Sequence, residues 1–154
     1  MEIQEILAPD SVLTAVKATS KKQALQELAK HAAQLTGLHD RSIFEVLLER
    51  ERLGTTGVGR GIAIPHGKLS ELDGLHGVFA VLEQPIDFDS IDDQPVDLIF
   101  LLLAPESAGA DHLKALARVS RLLRDSEYCD RLRKIATADE LFEALTQGTA
   151  TPVA

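Results

Sequence analysis

Residues 96–104 read VDLIFLLLA and residues 78–82 read VFAVL, two runs in which apolar residues follow one another almost without interruption. A strand with one face in solvent would alternate apolar and polar residues, so these runs are typical of strands covered on both faces. We therefore expect both at the centre of a β-sheet. Residues 83–97, which lead from one run to the other, hold six acidic residues and two prolines, and edge structure and turns are predicted there.

The sequence predicts one further strand and two helices ahead of these runs. Residues 12–16 alternate in the manner of a strand. The motif SKKQ at residues 20–23 has the spacing of a capping box, and the helix that it begins is stopped by a glycine. A second helix, capped by Asp40, is expected to turn its apolar residues inward and its glutamates, Glu51 among them, outward.

Three helices are predicted after the second apolar run, at about residues 109–124, 127–135 and 137–145. The last of them begins with a second capping box, TADE at residues 137–140. Strands interspersed with helices around apolar central runs favour the α/β class. The predicted fold is a single-domain sandwich with a central mixed β-sheet of about five strands flanked by helices on both faces. We expect this domain to span residues 1–148, followed by a tail at residues 149–154.

The composition argues against several classes of function. A formal net charge of −8 does not suit a nucleic-acid binder, which needs a dense basic surface, and the absence of Trp disfavours a base-stacking platform. Cys129 is the single cysteine, and with five scattered histidines it makes no zinc-binding spacing. We therefore predict no nucleic-acid partner, no metal and no other cofactor.

The N-terminal residues 1–10 open with acidic rather than basic residues and contain no apolar run of signal-peptide length. The most apolar segment, residues 98–104, is far shorter than the ~20 residues that a membrane-spanning helix needs. The chain is therefore predicted to be cytoplasmic and not embedded in a membrane.

A glycine-rich loop at residues 54–67, GTTGVGRGIAIPHG, is the most distinctive local feature. Its glycine spacing imitates a P-loop, but the Lys and Ser or Thr that contact nucleotide phosphates and magnesium are missing. The G-x-G-x-x-G register of a dinucleotide-binding loop also fails, because Ile62 stands where the third glycine belongs. What such a loop does offer is backbone N–H groups that can converge on an anion.

The loop ends at His66, whose neutral ring nitrogen is a competent nucleophile near neutral pH. Phosphoryl transfer depends mainly on positioning and on stabilising the charge of three oxygens, so N–H donors and one guanidinium suit it. Arg50, near the end of the preceding helix, could supply that guanidinium. The other candidate phosphoryl-binding residues are Thr55, Thr56, Gly57, Gly59 and Gly67. From these residues alone, a surface histidine in a turn remains an open alternative for His66, and a solvated helix-end residue for Arg50.

A resemblance to a known family favours the functional interpretation of His66 and Arg50 over these alternatives. The matching motifs are LERE at residues 48–51, GTTGVG at 54–59, GIAIPHGK at 61–68, PI at 85–86, QPVDL at 94–98 and HLKAL at 112–116. Together they resemble the enzyme IIA component of the mannitol and fructose class of the phosphoenolpyruvate-dependent phosphotransferase system. The resemblance covers nearly the whole chain and is strongest to the nitrogen-regulatory branch of the class.

This resemblance implies that His66 accepts a phosphoryl group, through its Nε2 atom, from a histidine-containing phosphocarrier protein. It also implies that Arg50 and His112 line the same site. Arg50 would neutralise charge on the phosphoryl oxygens, and His112 would donate a hydrogen bond to them or orient the His66 ring. Because His112 falls in the first turn of a predicted helix, the helix dipole disfavours its protonated form.

A nitrogen-regulatory protein of this kind would act on regulatory target proteins, such as kinases or transporters, according to its phosphorylation state. Two alternatives remain open: a sugar-specific enzyme IIA that passes phosphoryl to a IIB component, and an interaction module in which His66 is vestigial. The sequence also leaves open whether the chain forms a homodimer. The remaining histidines, which match nothing in the family's site, are predicted to be structural; they are His31, His39 and His76.

Overall fold

The computed structural model describes residues 2–147, which form six strands and five α-helices preceded by two short 3-10 turns. The strands are β1 (Val12–Val16), β2 (Gly57–Gly59), β3 (Ile62–Ala63), β4 (His66–Leu69), β5 (His76–Ile86) and β6 (Val96–Pro105). The helices are α1 (Lys21–Thr36), α2 (Asp40–Leu53), α3 (Ala110–Leu123), α4 (Ser126–Lys134) and α5 (Ala138–Gln147). The predicted tail at residues 149–154 lies outside the described residues.

The six strands form one mixed sheet in the order β1-β5-β6-β3-β2, with β4 also paired to β6. The central strand β6 runs antiparallel to β5 and parallel to both β3 and β4. Since β3 pairs with the first half of β6 and β4 with the second half, the two short strands share one edge of β6. The prediction of a mixed sheet of about five strands is confirmed, with one strand position divided in two.

Helices cover both faces of the sheet, as predicted. One apolar core lies under α1 and α2, and the other lies under α3, α4 and α5. Successive residues of β6 contribute to opposite cores: Leu98 and Phe100 to one, Ile99 and Leu101 to the other. Each of these four side chains is fully buried, which explains why the run shows no alternation of apolar and polar residues.

The prediction of edge structure and turns for residues 83–97 is only partly right, because β5 continues through Pro85 to Ile86. Strand β1 pairs with β5 only as far as Leu82, so the last part of β5 has lost its neighbour on that side. Proline is tolerated where its missing N–H faces no partner strand. The acidic turn follows only after Ile86, which is buried and pairs with Val96.

The second helix also departs from its predicted form at two places. Asp40 is the first helical residue rather than the cap, and His39 occupies the cap position without a side-chain hydrogen bond. Glu51, expected to face outward, is instead buried at 8% exposure. Burial is tolerated there because the carboxylate has several hydrogen-bonding and ionic partners.

Helices begin at both predicted capping boxes, and in each the Ser or Thr hydroxyl accepts the expected backbone hydrogen bond. The N–H of Gln23 donates to the hydroxyl of Ser20, and the N–H of Glu140 donates to the hydroxyl of Thr137. No helix within residues 2–147 is both long enough and apolar enough to cross a lipid bilayer.

Candidate functional site

His66 is the first residue of β4, which lies along the edge of β6 that β3 and β4 share. The two residues that join these strands, Ile64 and Pro65, are buried, and the carbonyl of Pro65 accepts a hydrogen bond from the N–H of Leu102 in β6. The backbone before the histidine is therefore held by the central strand. The His66 side chain itself is only partly buried, so part of it is exposed to solvent.

Hydrogen bonds to both ring nitrogens define the tautomer of His66. The Nδ1 atom lies 2.9 Å from the carbonyl oxygen of Ile64, which can only accept. The Nε2 atom lies 3.2 Å from Nε of Arg50, which can only donate. Nδ1 therefore carries the proton and Nε2 carries the lone pair, so Nε2 is the nucleophilic atom of the ring.

Arg50 is held in place by two contacts. Its Nη1 donates to the carbonyl of Gly54 at 2.9 Å, while its Nε donates to His66. The first bond caps the C-terminal end of α2, where unpaired carbonyls favour a cation. The guanidinium is thus held against the His66 nitrogen that carries the lone pair.

His112 joins the pair from a distant part of the chain. It lies in the first turn of α3 at 6% exposure, and its ring centroid is 5.6 Å from that of His66, at an interplanar angle of 69°. Its Nε2 atom is buried and has no hydrogen-bond partner within residues 2–147. A buried polar atom without a partner is costly, so this nitrogen has an unused capacity for one hydrogen bond.

Burial and neighbouring charges keep both rings neutral. Burial is the main cause that lowers the pKa of His66, and the charge of Arg50 lowers it further, against the opposing effects of the Ile64 carbonyl and Glu51. The pKa of His112 is also lowered, first by burial and then by the nearby His66 and Lys68. Near neutral pH the site therefore holds an unprotonated nucleophile beside a permanent cation.

Several hydrogen-bond donors of the glycine-rich loop already have partners within the protein. Thr55 donates its hydroxyl to the carbonyl of Phe88, and accepts a hydrogen bond from the N–H of Gly57. Thr56 donates both its N–H and its hydroxyl to Glu51. These donors are already engaged without a phosphoryl group, and the phosphoryl-binding roles of Thr55, Thr56 and Gly57 stay predictions.

Three glycines of the site are explained by close packing or backbone conformation. A Cβ on Gly57 would lie 2.5 Å from Oγ of Ser90, and a Cβ on Gly67 would lie 2.4 Å from Cγ1 of Val46. Gly59 has φ +106°, a conformation that other residues rarely adopt. Their direct contact with phosphoryl oxygens, predicted from the sequence, remains a prediction.

Glu51 is the polar residue of this region that sequence reasoning missed. The carboxylate lies 3.0 Å from Nζ of Lys21 and accepts two hydrogen bonds from Thr56. A signal for its burial was present, because Glu51 follows the buried Ile43 and Leu47 at intervals of four residues and so continues their face of the helix. The prediction that Glu51 faces outward gives its charge more weight than this spacing.

The remaining histidines stand apart from this cluster. His31 contacts the carbonyl of Asp10, His39 precedes α2, and His76 begins β5. Among residues 2–147, no group of three or more His, Cys, Asp or Glu side chains is arranged to hold a metal ion.

Replacing Arg50 should change the titration of His66. Arg50→Gln is expected to raise the pKa of His66, because the guanidinium disfavours the imidazolium form. The rise should be partial, since burial remains the larger cause. An NMR titration of the His66 ring protons in wild type and variant measures the difference. A pKa that stays unchanged or falls would contradict the contact between the two side chains.

The chain is similar to known proteins over nearly its whole length. The family model described as "Phosphoenolpyruvate-dependent sugar phosphotransferase system, EIIA 2" matches residues 5–148. A nitrogen regulatory protein of Bradyrhizobium diazoefficiens is 59% identical over 151 residues, which cover 98% of this chain and 99% of that protein. The crystal structure of nitrogen regulatory protein IIA-Ntr from Neisseria meningitidis superposes with a TM-score of 0.88 at 34% identity, covering 94% of this chain and 99% of that one.

A sugar-specific protein is also similar, at lower identity. The fructose-specific EIIABC component of Bacillus subtilis is 31% identical over 148 residues, which cover 96% of this chain but 23% of that protein. The chain is thus more similar to the regulatory proteins than to this sugar-specific component.

Proposed function

This chain belongs to the EIIA 2 family of the phosphoenolpyruvate-dependent sugar phosphotransferase system, and we propose that it is a phosphoryl carrier of the nitrogen-regulatory type, with His66 as the acceptor. One observation carries the proposal: the lone pair of His66 Nε2 faces the guanidinium of Arg50, while Nδ1 is fixed as the protonated nitrogen. The higher identity to a nitrogen regulatory protein supports the regulatory rather than the sugar-specific role.

The proposed step exchanges one P–N bond for another. A phosphohistidine on a small phosphocarrier protein is the donor; its P–N bond breaks as the His66 Nε2 lone pair forms a new bond to phosphorus. The donor histidine keeps the electron pair of the broken bond. The Nδ1 atom of His66 keeps its proton, which stays hydrogen-bonded to the carbonyl oxygen of Ile64. No metal or other cofactor enters this balance.

Arg50 and His112 would stabilise the charge that the transferred group brings. The Arg50 N–H groups that now contact His66 and Gly54 are close enough to turn toward the equatorial phosphoryl oxygens. The unpaired Nε2 of His112 would gain a partner if its ring presents that nitrogen protonated. Donors held beside the reacting atom before the reaction are effective because they need only a small reorganisation when the charge arrives.

Docking of the donor would use the apolar surface beside the site. Among residues 2–147, four large apolar side chains are exposed, and they belong to segments adjoining the site: Leu53, Val58, Ile91 and Leu113. Leu113 directly follows His112, and Ile91 donates its N–H to the carbonyl of Gly57. Such side chains at the rim of a site are suited to a transient protein interface.

Regulation would follow from the charge of the carried group. Phosphorylation adds roughly −1.5 to −2 charges to a surface where target proteins, such as kinases or transporters, would bind. A docked partner would therefore distinguish the two states by electrostatics. We place this exchange in the cytoplasm, where the phosphocarrier donor acts.

The test is transfer of labelled phosphoryl from phosphoenolpyruvate through enzyme I and the phosphocarrier to this chain. The wild-type chain should acquire label that is labile in acid and stable in base, as expected for a P–N bond. A chain that stays unlabelled, with all three other components active on a known acceptor, would overturn the carrier function. Label that then passes to a IIB component at a rate comparable to its acquisition would favour the sugar-specific role.

A further inference from the structure

A buried carboxylate lies directly beside the phosphoryl-accepting pair without touching it. Glu51 follows Arg50 in α2 and is 8% exposed. Its Oε1 lies 3.0 Å from Nζ of Lys21 and 3.0 Å from the backbone nitrogen of Thr56, and its Oε2 accepts from the hydroxyl of Thr56. A buried charge is costly unless it is paired and hydrogen-bonded, and this one has partners on both oxygens.

The contacts of Glu51 connect it, through the glycine-rich loop and Arg50, to His66. Thr56 is tied to Glu51, and Gly54, two residues earlier, presents the carbonyl that holds Nη1 of Arg50 at 2.9 Å. Nε of the same guanidinium then contacts Nε2 of His66 at 3.2 Å. The position of the guanidinium therefore depends on where the loop places one carbonyl oxygen, and the loop is anchored to the helix by Glu51.

Lys21 supplies the countercharge that makes this anchor stable. It is the first residue of α1, and its ammonium group lies 4.8 Å above the ring of Phe88 and 3.8 Å from Asp89. The Lys21 side chain is 19% exposed and the Glu51 side chain 3% exposed. The pair thus joins α1, α2 and the turn after β5 at the point where the glycine-rich loop begins.

We propose that Glu51 is a positioning residue for phosphoryl transfer: by fixing the loop at Thr56 it holds the Gly54 carbonyl, and through it the Arg50 guanidinium, against His66. This inference rests on the proposed function of His66. Glu51 contacts neither the reacting nitrogen nor the surface where a donor would dock, so its effect should fall on the transfer step rather than on binding.

The first experiment compares Glu51→Gln with Glu49→Gln, which removes the same charge from an exposed position of the same helix. In Glu51→Gln, the new side-chain amide would set N–H donors against the ammonium of Lys21 or the donors of Thr56. We expect Glu51→Gln to lower kcat for phosphoryl transfer by at least about tenfold with little change in KM for the phosphocarrier. Glu49→Gln should stay within about twofold of wild type in both parameters. Equal rates in Glu51→Gln and wild type would overturn the proposal.

A double-mutant cycle separates positioning of Arg50 from a general structural role. If Glu51 acts through Arg50, then Glu51→Gln should lower the transfer rate by less than about twofold in an Arg50→Gln background. Full additivity of the two losses would show that Glu51 acts by another route and would contradict the inference.

The protein without any donor provides a readout that does not depend on labelling. An isotope-edited NMR spectrum should show the Arg50 Nε–H signal, identified by its loss in Arg50→Gln, as protected from exchange in wild type and exchanging freely in Glu51→Gln. Lys21→Met/Glu51→Gln removes both charges together and so leaves no unpaired buried charge that could unfold the protein. Its Arg50 Nε–H signal should exchange as freely as that of Glu51→Gln. If wild type accepts no label, the carrier function fails, yet this signal still decides whether Glu51 holds the Arg50 guanidinium in place. Equal protection in all three proteins overturns the inference.

Discussion

His66→Ala is expected to accept no phosphoryl label while keeping a thermal midpoint within about 8 °C of wild type. Labelling should vanish because the variant lacks the Nε2 lone pair, which is the nucleophile in the proposed transfer. Stability should change little, since the ring is only partly buried and its removal forfeits two hydrogen bonds worth about 1 kcal/mol each. Phosphoryl labelling and thermal unfolding, followed on the same preparation, measure the two effects.

His39→Ala is the matched control for this variant. His39 is exposed, precedes α2 and makes no side-chain capping bond, so its replacement should leave labelling at the wild-type level. Label retained on folded His66→Ala would mean that another residue accepts the phosphoryl group. In that case the assignment of His66 as the acceptor would be wrong.

The parts of the fold that could be predicted are those whose own residues determine their structure. Strand β6 and the core of β5 are apolar at successive positions, and the helices carry capping residues and an apolar stripe. Strands β2 and β4 lack such signals. Their glycines favour no regular structure by themselves, and these segments are extended because β3 and β6 offer hydrogen bonds to them.

The same distinction applies to the site. The residue types at His66 and Arg50, combined with the family resemblance, pointed to the pair that the structure brings within 3.2 Å. The tautomer of His66 could not be predicted, because it depends on a carbonyl in its own loop and on a guanidinium from another element. The burial of Glu51 could not be predicted from its polar side chain, because its partner Lys21 is 30 residues away and becomes a neighbour only in the folded chain.

Gly67→Ala is expected to weaken both stability and transfer, because α2 packs on β4 at this residue with no room for a side chain. A Cβ here would lie 2.4 Å from Cγ1 of Val46, and Val46 precedes Arg50 by one helical turn while Gly67 directly follows His66. The close packing of helix on strand therefore also sets the 3.2 Å contact between Arg50 and His66. Forcing a methyl group into this contact should cost about 1–3 kcal/mol of unfolding free energy.

The effect on transfer should be the larger of the two. A displacement of about 1 Å between reacting groups can lower a rate by about a hundredfold, and the branched Val46 side chain has few rotamers in which to avoid the new methyl group. Denaturant unfolding and the labelling rate, measured on the same variant, give the two losses separately.

Val46→Ala/Gly67→Ala tests whether the loss arises from this one contact. Removing Cγ1 of Val46 makes room for the new methyl group, so the double variant should label within about threefold of Val46→Ala alone. A double variant that remains as slow as Gly67→Ala would show that Gly67 acts through its own backbone, by approaching the phosphoryl group directly, rather than by the spacing between α2 and β4. Recovery would instead mean that this glycine serves the reaction by letting the helix that carries the guanidinium lie against the strand that carries the nucleophile.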